Sequence, residues 1–175
     1  MLRCSKELDI MKYLDYFLIM AMVVILISLF FKGGLKDTFV AEDNSNDISR
    51  IRERLMQVDD IKSIVEGIKF DISDGNTYCE DKETIYFCTR DANDKVYDDN
   101  TLIYAALHEL AHVITKSIGH THEFYDNFDK LLELATIHRI YNPCIPIAKE
   151  YCGVDIPTTA RIHRDKCNLL QKIKN

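Results

Sequence analysis

Thr101-Leu102-Ile103-Tyr104-Ala105-Ala106-Leu107-His108-Glu109-Leu110-Ala111-His112-Val113-Ile114-Thr115-Lys116 decides how the rest of the chain is read. Leu102, Ile103, Ala105, Ala106, Leu107, Leu110, Ala111, Val113 and Ile114 leave almost no polar position besides His108, Glu109 and His112, which predicts a helix buried on most sides. Asp98, Asp99 and Asn100 supply acidic and N-cap residues before it, and Gly119 follows as a stop. Residues four apart share one helix face, so His108 and His112 stack where both imidazoles reach a single zinc ion. Glu109 is rotated away from them and reaches a water beside the metal without being a ligand. Polar groups inside so apolar a helix need partners. A metal provides them, and the expectation is the zinc centre of a peptidase, with Glu109 taking the water's proton and returning it to the leaving amine.

A catalytic zinc ion needs a third protein ligand and one open position. Gly119-His120-Thr121-His122-Glu123-Phe124 offers His120, His122 and Glu123. His120 follows a glycine able to turn the chain back over the helix, but spacing alone decides among none of the three. Tyr125, Tyr141 and His122 are possible donors to an oxyanion. His138 reads as a surface or capping residue.

The run HELAH, a short connector and then GHTHEF resembles the WLM and SprT (Spartan-like) zinc metallopeptidases. The strand-like TIYFCTR at 84–90, a polar turn and TLIYAALHELAH are similar to WLM-type proteins of large DNA viruses, as is Tyr151-Cys152-Gly153; the covered part is roughly Ile68 to Pro157. The resemblance implies a zincin-like fold, one catalytic zinc held by His108, His112 and His120, Glu109 as catalytic residue, and Phe124 as the aromatic after the third ligand. It also implies proteolysis of proteins bound or crosslinked to DNA. Charge opposes that substrate class: from Asp37 to Asn175 there are 17 Lys and Arg against 25 Asp and Glu, a net of −8, whereas nucleic-acid binding needs basic surface. The expected partner is a protein or peptide, not a nucleic acid.

Working outward, Ile51, Leu55, Val58, Ile61, Ile64 and Val65 have helical spacing, Phe70 to Arg90 reads as short strands with a hairpin over Asn76 to Arg90, and Phe124, Phe128, Leu131, Leu132 and Ala135 stripe a following helix. The fold class is α+β: a helix, a small antiparallel sheet, the motif helix and a following helix, in one domain over residues 48–157. Pro143, Pro146 and Pro157 mark an irregular end, and residues 158–175 read as a basic, solvated tail carrying Arg161, Arg164, Lys166, Lys172 and Lys174.

Residues 1–12 form an N-terminal tail. Tyr16 to Phe31 contains no charge, and with Tyr13 and Leu14 it predicts a single transmembrane anchor over 13–31, followed by a Gly-Gly and acidic linker over 32–47. Arg3, Lys6 and Lys12 precede the span and Lys32 and Lys36 follow it, which favours a cytoplasmic N-terminus by one residue. Six cysteines leave the redox compartment open. The arms of the expected hairpin can place Cys79 and Cys88 opposite each other; Cys144, Cys152 and Cys167 form a second group; buried reduced thiols fit equally well, so no pairing is chosen. An alternative function is an inactive membrane-anchored structural or interaction protein on the same fold. Intact Glu109 argues against it, because a structural zinc site needs no general base.

Overall fold

The computed structural model describes residues 18–28, 45–157 and 163–174. The chain divides into two compact units, Met1–Asp43 and Asn44–Asn175.

In the first unit the expected anchor is corrected. Residues 18–28 are helical and expose Leu18, Met22 and Leu26, and at about 1.5 Å per residue this stretch covers roughly half of a hydrocarbon core. Among the described residues no helix is long and apolar enough to cross a membrane. The remainder of the 13–31 run, the 1–12 tail and most of the 32–47 linker lie outside the described residues. The end of that linker, 45–47, is helical.

The second unit is α+β. Helix α1 (residues 45–55) and helix α2 (Asp59–Val65) replace the single helix read from the sequence, because Val58 is extended (φ −110°, ψ 109°) and restarts the chain with Asp59 and Asp60 in a new first turn. Strands β1 (Lys69–Ile72), β2 (Tyr78–Glu80) and β3 (Thr84–Phe87) form a sheet of order β1-β3-β2. β2 and β3 make the expected hairpin, turning through Asp81 and Lys82 at φ 50° and 62°. The sheet is mixed, not antiparallel: β3 inserts between β2 and β1 and pairs with β1 in parallel, Phe70 opposite Ile85 and Ile72 opposite Phe87. β2 therefore lies at the edge.

Helix α3 (Asp99–Ile114) begins where Asp98 accepts hydrogen bonds from the Thr101 amide (3.0 Å) and hydroxyl (2.7 Å). Helix α4 (His122–Ile137) starts at Thr121, whose hydroxyl oxygen accepts from the Phe124 amide, and ends at His138. Leu102, Ile103, Leu107 and Leu110 of α3 are fully buried among Ile51 and Leu55 of α1, Val58, Ile61 and Val65, Ile85 and Phe87 of β3, and Phe124, Leu131 and Leu132 of α4. Burying each such side chain contributes about 1.5–3 kcal/mol, so the helix carrying the motif is held by the centre of the core. Arg54 pins its start, donating to Asp99 (2.6 Å) and to the Ile140 carbonyl (3.0 Å).

The C-terminal segment departs from the expected solvated tail. Strands β4 (Glu150–Tyr151) and β5 (Val154–Asp155) form a tight hairpin around Cys152 and Gly153, both at positive φ, and helix α5 covers Arg164–Lys174. Lys166 is 7% exposed and pairs with Asp129 of α4 at 2.7 Å. Disulfides join Cys88 to Cys152 and Cys144 to Cys167. Cys79 is a free thiol, so of the alternatives open from sequence the hairpin pairing with Cys88 does not form: in register Cys79 lies opposite Ile85, and Cys88 follows the end of β3.

Candidate metal centre

His108 and His112 stand one helical turn apart on α3, and His120 reaches them from the α3–α4 loop. One ligand nitrogen of each lies within 4.8 Å of those of the other two. The Nε2 atoms of His108 and His120 are 3.0 Å apart, close to the roughly 3.3 Å that separates two nitrogens on one tetrahedral zinc at about 2.0–2.1 Å. Phe124, wholly buried, packs under all three imidazoles with ring centroids 4.9, 4.3 and 4.7 Å from His108, His112 and His120.

Burial, reinforced by the neighbouring His112 and His120, pushes the His108 pKa down to about 3, and burial likewise lowers that of His112. Both are therefore neutral at pH 7, with lone pairs free for a metal. Three imidazoles converging beside an open cleft can hold a metal ion and match the donor set of a catalytic zinc site, so the residues present fit that metal.

The loop carrying His120 is clamped at several points. The Glu123 carboxylate accepts from the Ser117 hydroxyl (2.9 Å) and from the Ser117 and Lys116 amides (3.2 and 3.3 Å), and these bonds hold its pKa below the ordinary range. Glu123 thus fixes the loop and is not among the converging ligands. The ammonium of Lys82, in the β2–β3 turn, donates to the Thr115 and Lys116 carbonyls that end α3. Gly119, at φ +81°, turns the chain so that His120 faces the helix. His122 points elsewhere, exposed, with Nδ1 2.9 Å from Asp126.

Glu109 is 7% exposed and lines the same cleft. Burial raises its carboxyl pKa to about 7, opposed only by a hydrogen bond from the Cys79 amide of edge strand β2. A carboxyl poised near neutrality is suited to exchanging protons with a water at pH 7. Of the donors considered from sequence, Tyr125 is exposed with its ring 6.2 Å from that of His120, while Tyr141 is wholly buried against Tyr104.

The cleft has two unlike halves. One, of about 630 Å³, is bordered by Asp81, Lys82, Ser117 and Gly119. The other, of about 390 Å³, lies between Tyr104 of α3 and the β4–β5 hairpin. Sequence reasoning missed the second half: its wall depends on the Cys88–Cys152 link across 64 residues, and the only local signal was the Tyr151-Cys152-Gly153 turn.

No family model matches the chain, and no solved structure matches it. It is 42% identical over 84 residues to uncharacterized protein 042R of Invertebrate iridescent virus 3, covering 47% of this chain and 53% of that protein. It is 38% identical over 74 residues to uncharacterized protein 136R of Invertebrate iridescent virus 6, covering 41% of this chain and 42% of that protein. The chain thus spans about half the length of the curated relatives it matches.

Proposed function

We propose that this chain is a zinc-dependent peptidase of the WLM/SprT-like type, on a zincin-like fold, that hydrolyses peptide bonds of protein or peptide substrates. The observation that carries the reading is the convergence of His108, His112 and His120 beside a buried Glu109 that lines the same cleft. His108, His112 and His120 would hold the zinc ion, which when bound would supply Lewis-acid chemistry to a carbonyl and a water. Glu109 accepts the water's proton and delivers it to the leaving amine. The Cys79 amide fixes the carboxylate's orientation, and the outer edge of β2 offers backbone groups to an extended substrate. Phe124 sets the planes of the imidazoles from below. Net negative charge over the domain supports a polypeptide substrate over a nucleic acid.

The test is digestion of unfolded β-casein by the full-length chain. Cleavage that stops on chelation, returns with zinc and is absent in Glu109→Gln is the expected result. Zinc-loaded, folded protein that cuts neither casein nor a mixed peptide library would overturn the proposal.

A further inference from the structure

We infer that the cavity on the Tyr104 side of the metal centre is a specificity pocket that receives one apolar side chain of the substrate next to the bond that is cut. This rests on the peptidase reading, since the pocket opens onto His108, Glu109 and His120. Tyr104 and Ala105 of α3 form one wall; Tyr151, Val154, Ile156 and Pro157 of the C-terminal hairpin form the other. At about 390 Å³ the space has room for the side chain of Leu, Met, Phe or Tyr. The carboxylates bordering it are Glu109 and the exposed Asp155, which disfavour an acidic side chain, and among the described residues no Lys or Arg lines it. The opposite half of the cleft is bordered by Asp81 and Lys82, so selection for an apolar residue belongs to the Tyr104 side.

The hairpin wall is fixed in place. Cys152 is bonded to Cys88, and its amide donates to the Tyr97 hydroxyl at 2.9 Å. The Tyr151 hydroxyl donates to the Cys88 carbonyl at 2.7 Å, and the Ile156 amide donates to the Lys149 carbonyl at 2.8 Å. A pocket held this way needs no ordering when the side chain enters, so apolar burial appears directly as selectivity.

Two measurements on the full-length chain test this. In the first, a peptide library is digested by the zinc-loaded protein. Cleavage is expected at bonds flanked on one side by Leu, Met, Phe or Tyr, favoured about tenfold or more over Gly, Asp or Lys. Val154→Lys, at a position 55% exposed and so harmless to folding, is expected to erase that preference and to raise cleavage next to Glu. Indifference to the flanking residue, preference for Lys or Arg, or an unchanged profile in Val154→Lys overturns the pocket. In the second, N-acetyl-leucinamide and N-acetyl-lysinamide are titrated at millimolar concentration while the methyl resonances of Val154 and Ile156 are followed by NMR. Shifts with the leucine amide alone, lost at Ile156 in Val154→Lys, sustain the pocket even where no peptide is cut, the outcome that sinks the peptidase reading instead. No shifts, or equal shifts with both amides, overturn it.

Discussion

Glu109→Gln separates the chemistry of the site from its architecture. The substitution keeps the side-chain volume and an oxygen to accept the Cys79 amide, and removes only the ability to ionise. In the folded protein burial lifts the Glu109 carboxyl from 4.5 to about 7, which corresponds to about 3 kcal/mol of preference for the neutral form. A raised acid pKa stabilises the fold fully below about 4.5, and that contribution is lost as the pH rises through about 7. Metal-free wild type and Glu109→Gln are therefore expected to have similar stability at pH 4, with the variant ahead by about 3 kcal/mol at pH 8. Because the chain has no tryptophan, urea unfolding is followed by circular dichroism at each pH. All other titrating groups are common to both proteins and cancel in the difference. The same variant is expected to keep one zinc per chain while peptide hydrolysis falls by about 10²–10⁴-fold, the usual contribution of a general base. A stability difference that stays constant between pH 4 and pH 8 would refute the reasoning, since it would mean that the carboxyl ionises as it does in water.

Three further outcomes follow from the same geometry. Zinc content measured by elemental analysis is expected to drop to near zero in His120→Ala and to stay at one per chain in His122→Ala, because only His120 joins His108 and His112; equal retention in both would remove His120 from the ligand set. Glu123→Ala cuts the three hydrogen bonds that hold the 115–121 loop and is expected to weaken zinc binding about 10–100-fold in a chelator competition, with Glu123→Gln partly restoring it; unchanged affinity would show that the loop holds without them. Replacing both Cys88 and Cys152 by Ser opens a link spanning 64 residues and is expected to lower stability by about 4 kcal/mol in denaturant unfolding, against no change if the bond does not form in the folded protein.

The parts of the site that sequence could show are those set by short-range periodicity. The 3.6-residue pattern placed His108, Glu109 and His112 on one buried helix, and Asp98 marked its start. Choosing among His120, His122 and Glu123 lay beyond spacing, because the direction in which a loop residue points depends on Gly119 at φ +81° and on Glu123 binding back to Ser117. Long-range pairings were equally hidden. β3 inserts between β1 and β2, a choice no local pattern encodes, and Cys88 bypasses the nearby Cys79 for Cys152. A basic composition suggested a solvated tail where Lys166 and Cys167 tie a helix onto α4 and Cys144. At the N-terminus an uncharged run of residues was read as a span by composition, whereas the described helix of 18–28 is too short for that task.

The Cys88–Cys152 bond also sets a sequence of events during synthesis. The groups touching the three imidazoles and Glu109, from the Cys79 amide to the Phe124 ring, lie within about fifty consecutive residues, whereas the hairpin opposite Tyr104 is tied to the fold through Cys152 and a partner 64 positions upstream. Contacts close in the chain form sooner than distant ones. The histidine cluster and its carboxyl are therefore expected to assemble before the selective half of the cleft, which waits on the distant pairing.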